Sequence, residues 1–407
     1  MSDNVTTTKT EALIQRGKAV VMNTYSQVPI ALQWGQGSTV WDMEGKKYLD
    51  FVAGIAVNAL GHSNPDYIQN LTDQLHRIAH CSNLYWTEPQ VQLAETLVNN
   101  SDLDKVFFCN SGTEAVEAAL KLARKYGKKA HGSHRTDIIA MEGGFHGRTY
   151  GAVSATGQPK YQKDLDPLLP GISHVPYNDL EALRQHITPN TCAVLMEPIQ
   201  GEGGIRPADV DYLKAVKALC AEHDIVLIFD EVQCGIGRTG HLFAYQHYGV
   251  NPDIITLAKG LGGGFPIGAM MATDKVADAF APGDHAATFG GNPLASVAGI
   301  SVLHDLLHND LLAHVQTVGL HLIQHLTTLQ EKFPVITDVR GIGLMQGIEL
   351  SVPTAPIVTA CRENGLLLVG AGADVIRFVP PLVVTKTEID QAMKILEDVL
   401  TKTQQEQ

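Results

Sequence analysis

A chain of 407 residues is too long for one ordinary hydrophobic core and implies two domains, or one large domain with an appendage. With 44% hydrophobic and 18% charged residues it has the balance of a soluble globular protein, and a net charge of −13 argues against a phosphate-backbone binder, which needs a basic face. No uninterrupted apolar run marks a membrane span or the core of a signal peptide, and six dispersed cysteines without CxxC spacing fit reduced thiols in a cytoplasm.

In chain order, the segment up to about Gly61 carries short strand-like pieces, Thr39-Val40-Trp41 and Lys47-Tyr48-Leu49. The middle alternates strands and helices. Apolar runs recur at Val106-Phe107-Phe108, Ile138-Ile139-Ala140-Met141, Ala193-Val194-Leu195-Met196, Ile225-Val226-Leu227-Ile228-Phe229 and Ile254-Ile255-Thr256-Leu257. Each is continuous rather than alternating, as expected of strands covered on both faces, and residues 114–125 and 211–222 read as helices between them. From about Leu303 onward helical patterns mix with strand-like runs at residues 343–350 and 375–379, before a polar tail beginning at Thr403. This is α/β grammar with a mostly parallel sheet. The expected division is a large α/β domain over residues 63–308 and a smaller α+β domain built from both chain ends, residues 1–62 and 309–407.

Ligands of such sheets bind outside the carboxyl ends of the strands, so the residues after each apolar run matter most. They are Asn110-Ser111-Gly112-Thr113, then Gly144-Phe145-His146-Gly147-Arg148, then Glu197 with Gly201-Glu202-Gly203, then Asp230-Glu231-Val232-Gln233, and finally Ala258-Lys259-Gly260. Ser111 and Glu114 fit a capping box, which opens a helix whose N-terminus can bind phosphate or serve as a plain cap. Asp230, after five apolar residues, needs a cationic or donor partner; it suits a protonated pyridine nitrogen or an ordinary turn cap. Lys259 alone reads as a solvated charge, but a partly desolvated lysine has a lowered pKa and can bond covalently to a carbonyl cofactor. Arg148 can present a fork to a carboxylate or make a structural ion pair, and Phe145 can stack on a flat ring or fill the core.

Together these motifs resemble the class III, or ω-amino-acid, aminotransferases of the fold type I pyridoxal-phosphate superfamily. The resemblance runs from Trp41-Asp42-Met43-Glu44-Gly45 to Arg377-Phe378-Val379-Pro380-Pro381, and is most specific in Ile228-Phe229-Asp230-Glu231-Val232-Gln233, Gly235-Ile236-Gly237-Arg238-Thr239-Gly240 and Lys259. It implies pyridoxal 5′-phosphate as cofactor and small amino acids and 2-oxo acids as substrates. By the same resemblance Lys259 carries the cofactor and Asp230 pairs with its ring nitrogen, with Glu231 counted beside them. Val232 and Phe145 enclose the ring, Gln233 reaches the phenolic oxygen, and Gly112 and Thr113 hold the phosphate. Thr288 serves the neighbouring subunit's phosphate, which makes the active site a property of a homodimer. Arg148 binds a donor carboxylate; Glu202 and Arg377 match a pair that opens to admit the α-carboxylate of glutamate. Ala287 stands where the family often has a substrate-contacting serine, leaving only backbone or methyl contact.

Two other chemistries have sequence features of their own. Residues 235–240 literally fit G-x-G-x-x-G, and Gly341-Ile342-Gly343 begins a looser variant, as in nicotinamide oxidoreductases. The first glycine, however, follows Phe229 by six residues, too late for a tight strand-to-helix turn. His321 and His325 have i, i+4 spacing, but Leu322-Ile323-Gln324 between them lacks the glutamate of H-E-x-x-H, so they read as decoration of an amphipathic helix and no metal site is expected. A catalytically dead relative is disfavoured because Asp230, Gln233, Lys259 and Thr288 are all present.

Overall fold

The computed structural model describes residues 8–405; residues 1–7, and Glu406 and Gln407 of the polar tail, lie outside the described residues. At its centre is a seven-stranded sheet, whose strands in chain order are β1 (Lys105–Cys109), β2 (Asp137–Met141), β3 (Ile172–Val175), β4 (Thr191–Met196), β5 (Val226–Asp230), β6 (Ile254–Leu257) and β7 (Gly268–Ala272). They lie side by side as β1-β7-β6-β5-β4-β2-β3. All run parallel except β7, which is antiparallel to both β6 and β1. Every residue of β4, β5, β6 and β7 is buried, which is why three of these strands are unbroken apolar runs in the sequence.

Among the helices are α1 (Gly112–His131), α2 (Val210–Glu222), α3 (Ala244–Tyr248), α4 (Leu311–Lys332) and α5 (Lys386–Gln405), of which α1 opens onto the cavity described below. The expected apolar stripe of α1, Val116, Ala119, Leu120 and Ala123, is buried against the sheet. Its cap is a variant of the expected box. The Ser111 hydroxyl accepts from the Glu114 N–H at 3.4 Å, while the Glu114 carboxylate reaches one residue further back, to the Asn110 N–H at 2.6 Å.

Residue Ile228 of β5 pairs with Leu195 of β4 and with Ile254 of β6. This register ends the three strands nearly in line, so Glu197, Asp230 and Lys259 emerge along one edge. Register delivers the site.

Both chain ends contribute further sheets. Leu32–Gln36, Thr39–Asp42 and Lys47–Asp50 form an antiparallel meander, and Leu366–Leu367 adds to it in parallel beside Lys47–Asp50. Ile336–Ile342, Met345–Leu350, Val375–Phe378 and Val369–Ala371 form a second four-stranded sheet, with α4 and α5 packed together nearby. Residues 403–405 of the polar tail continue α5 as helix.

Two glycine-rich segments are accounted for by packing. The positions that a Cβ would take at Gly237 and Gly240 are filled by Leu306 and Gln316, and Gly343 sits in the hairpin turn before Met345–Leu350. Protein occupies the space where a dinucleotide pyrophosphate would have to lie, so the nicotinamide reading fails.

Candidate active site

The strand ends open into a cavity of about 420 Å³, lined by Gly112, Thr113, Phe145, Arg148, Asp230, Val232, Gln233 and Lys259 among others. At its floor the first turn of α1 presents main-chain N–H groups that no helical carbonyl can satisfy. A Cβ on Gly112 would run into the Val232 side chain, so glycine lets this turn come close to the edge of β5. Gly147, at φ +130°, makes the same kind of approach to Thr113, whose hydroxyl lies 2.7 Å from that of Thr149. The result is an anion cradle built from helix N–H groups and hydroxyls.

Asp230 is 3% exposed and held on three sides. Its Oδ1 accepts from the Val232 N–H at 3.0 Å and the Thr256 hydroxyl at 2.9 Å, and its Oδ2 lies 2.7 Å from His146 Nδ1. Burial alone would lower the His146 pKa, but the hydrogen bond and charge of Asp230 outweigh it and raise the value. Glu197, below His146, accepts from the N–H groups of Phe145 and Gly201, both at 3.0 Å, and burial pushes its pKa to about 7. Neither His146 nor Glu197 was singled out from sequence as a site residue. The available signal was position, since both follow strands whose ends converge here.

Burial lowers the pKa of Lys259 to about 8. Its backbone is also unusual, with φ +44° in the left-handed region that disfavours residues with a Cβ. Strain of this kind costs on the order of 1–3 kcal/mol and is commonly found where a side chain must be aimed for chemistry. Opposite, the segment Ala53–Ala56 runs left-handed for four residues, φ 49° to 66°, and delivers Val57 to the cavity wall.

At the mouth Arg148 lies 4.0 Å from the ring centroid of Tyr161 and 5.6 Å from that of Phe145, a cation–π seat that holds its fork without an ion pair. Arg377 differs. It is 1% exposed and gives Nη1 to Glu202 Oε1 at 2.5 Å and to Gln233 Oε1 at 2.9 Å. Burial would raise the Glu202 pKa, yet the adjacent Arg377 charge and hydrogen bond bring it below the usual carboxylate value. Glu202 and Arg377 thus reach the cavity through Gln233.

Three expected site residues lie elsewhere. Glu231 turns away from the cavity, its two oxygens accepting the N–H groups of Ala244 (2.5 Å) and Tyr245 (2.7 Å) at the start of α3. Neighbouring residues at a strand end point to opposite faces, so Asp230 and Glu231 cannot both serve the cavity. Ala287 and Thr288 sit on a surface loop outside this chain's own cavity, with Thr288 exposed.

The donor set fits pyridoxal phosphate: an anion cradle, a buried carboxylate for a protonated ring nitrogen, flanking Phe145 and Val232, and a low-pKa amine. Fold and site together define a fold type I pyridoxal-phosphate enzyme. The aminotransferase class-III family model matches residues 20–400, and the chain belongs to that family. The acetylornithine aminotransferase of Caldanaerobacter subterraneus subsp. tengcongensis is 52% identical over 391 residues, covering 96% of this chain and 99% of the relative. That of Methanocaldococcus jannaschii is 49% identical over 395 residues, covering 96% and 98%. Among solved structures, ornithine aminotransferase from Toxoplasma gondii superposes with a TM-score of 0.95 at 32% identity, covering 100% of this chain and 98% of the other. Acetylornithine aminotransferase from Elizabethkingia anophelis gives a TM-score of 0.88 at 35% identity, covering 97% and 100%. No described helix is long and apolar enough to cross a membrane.

Proposed function

We propose that this chain transfers the δ-amino group of N2-acetyl-L-ornithine to 2-oxoglutarate, giving N-acetyl-L-glutamate 5-semialdehyde and L-glutamate, a step of arginine biosynthesis. The observation that carries the reading is the unequal availability of two arginines. Arg148 stands open at the mouth, whereas Arg377 is buried against Glu202. A donor with one free carboxylate needs only Arg148 while Glu202 keeps Arg377 covered. A dicarboxylate acceptor needs both, and displaces Glu202 from Arg377. The near-full-length relatives named acetylornithine aminotransferase support the same choice.

The cofactor, when bound, supplies an electron sink for charge developing on the donor carbon. Lys259 would be its anchor, and the Lys259 Nζ would carry the proton away from the donor's amine-bearing carbon and later return one. Burial, which lowers the Lys259 pKa to about 8, favours the neutral amine, the form that can accept a proton. Asp230 keeps a proton on the ring nitrogen, and His146 orients that carboxylate. Gly112 and Thr113 would hold the phosphate, Phe145 and Val232 would enclose the ring, and Gln233 would reach the phenolic oxygen. The exposed Thr288 is assigned to the phosphate of a partner subunit in a homodimer, with Ala287 beside it at the partner's entrance. Residues 63–308 are assigned to the cofactor-binding domain, and residues 1–62 with 309–407 to the small domain; pairing of Leu366 with Leu49 supports that grouping. A cytoplasmic location suits the six free thiols.

A panel of amino donors with 2-oxoglutarate tests the substrate. Acetylornithine is expected to give the highest kcat/KM among acetylornithine, ornithine, succinylornithine, succinyl-diaminopimelate and 4-aminobutyrate. A higher value for 4-aminobutyrate would sink the assignment of substrate and leave the aminotransferase class intact.

A further inference from the structure

Away from this chemistry, α4 and α5 bring three metal-type ligands together. His321 and His325, one helical turn apart on α4, stand with ring centroids 4.7 Å apart and planes at 82°. Both aim Nε2 at the same oxygen of Asp390 on α5: His321 at 2.6 Å and His325 at 3.0 Å. The three ligand atoms lie within 4.8 Å of one another. We propose that His321, His325 and Asp390 form a surface site for a divalent transition-metal ion of the zinc, cobalt or nickel type, which staples α5 to α4.

The spacing on α4 is the physical basis. Side chains at i and i+4 lie on one helical face, so two imidazoles there can share one ion without backbone movement. Around a tetrahedral ion with bonds of about 2.0–2.2 Å, ligand atoms stand roughly 3.4 Å apart. Asp390 therefore has to withdraw from His321 by somewhat less than about 1 Å, and the two imidazoles to adjust about their side-chain torsions until their Nε2 atoms, now within 4.8 Å, match that spacing. Both imidazoles already turn Nε2 towards one carboxylate oxygen; an ion bound there takes each ring as its Nδ1–H tautomer, so a neutral imidazole keeps its proton on Nδ1 and an imidazolium gives one up to solvent. Partial exposure of all three residues leaves room for water at the fourth position. A mixed imidazole–carboxylate set favours zinc, nickel or cobalt over magnesium or calcium. Sequence alone pointed the other way, because the third ligand is not in H-x-x-x-H but 65 residues further on.

Binding would stabilise the folded chain by RT ln(1 + c/Kd), with c the free metal concentration, because the unfolded chain does not hold the three ligands together. The test uses untagged holoenzyme stripped with chelator and titrated with Co2+ alone, then with Zn2+ in competition. One Co2+ per chain is expected, with visible d–d absorption of tetrahedral strength that Zn2+ abolishes and a raised melting temperature. Asp390→Asn and His325→Ala are each expected to weaken binding at least about tenfold, and the His321→Ala, His325→Ala double variant to abolish it. Transamination should stay unchanged in all three, and whatever the loss of the direct contacts to Asp390 does to the metal-free melting temperature, the rise on adding metal should shrink in the single variants and vanish in the double variant. Absence of stoichiometric Co2+ binding, or binding that survives in the double variant, overturns the proposal.

Discussion

Lys259 combines two costs at one residue: a cation drawn out of water and a backbone held at φ +44°. Both make sense only if the amine is aimed into the cavity and used there. Lys259→Ala is expected to lower kcat by more than about 10³-fold, since it removes both the covalent anchor and the proton carrier. Borohydride treatment followed by mass spectrometry should then find no cofactor-derived mass on the protein. Normal turnover by the variant would overturn its role. Arg377 lends itself to a finer test. In Arg377→Lys the planar fork is lost while the charge stays, so recognition of a second carboxylate suffers most. KM for 2-oxoglutarate should rise about 10- to 100-fold, the equivalent of about 1.4–2.7 kcal/mol, with the donor half-reaction little changed in single-turnover kinetics. Equal damage to both half-reactions would instead place Arg377 in the donor's path. At this scale the sequence was legible wherever a residue's position follows from its place after an apolar run: Asp230 and Lys259 both line the cavity. It was misleading at Glu231, where adjacency to Asp230 suggested a shared role and strand alternation sends the two side chains apart.

Glu231 belongs instead to the architecture of the elements. It joins the end of β5 to the start of α3 through two buried hydrogen bonds, and burial raises its pKa from the ordinary 4.5 to about 7. The sign of its linkage follows from that direction. Below about pH 4.5 the carboxyl is neutral in both folded and unfolded chains. As pH rises towards about 7 only the unfolded chain ionises, so this group's contribution to stability falls, by on the order of 3 kcal/mol in all, and then levels off. Glu197 acts in the same sense. Glu231→Gln should be less stable than the parent at about pH 5, because an amide cannot accept from both N–H groups. The gap should narrow as pH rises to about 7, as measured by denaturant unfolding at a series of pH values; two parallel curves would contradict the account. Other elements show why parts of the fold were legible. The strands β4, β5 and β6 announced themselves because both their faces are covered. The edge strand β3 is only half-buried and reads Ile-Ser-His-Val, while β7 reads Gly-Ala-Met-Met-Ala, where small residues admit the close approach of Ser111 behind Gly268. Neither carries the β-branched apolar run by which strands are recognised.

For the whole molecule, the telling residues lie outside the cavity they are meant to serve. Leu84, Tyr85, Trp86 and Phe289 are between 59% and 90% exposed, and Thr288 stands exposed beside Phe289. So large an aromatic and apolar surface next to an exposed threonine fits the homodimer proposed above. If Thr288 serves the partner's phosphate, Thr288→Ala should weaken cofactor binding about tenfold or more, the cost of one lost hydrogen bond to a charged group. That loss alone does not say whose cavity is affected, but mixed dimers do. In a dimer of one Lys259→Ala subunit and one Thr288→Ala subunit, threonine acting across the interface leaves one cavity with both defects and the other with none. Threonine acting within its own chain leaves one defect in each. Dissociating and reassociating an equal mixture puts about half the chains into mixed dimers. At limiting cofactor, action across the interface should then restore about a quarter of native activity, although neither parent variant approaches that level. Activity no higher than the average of the two parents would place Thr288 outside the partner's active site.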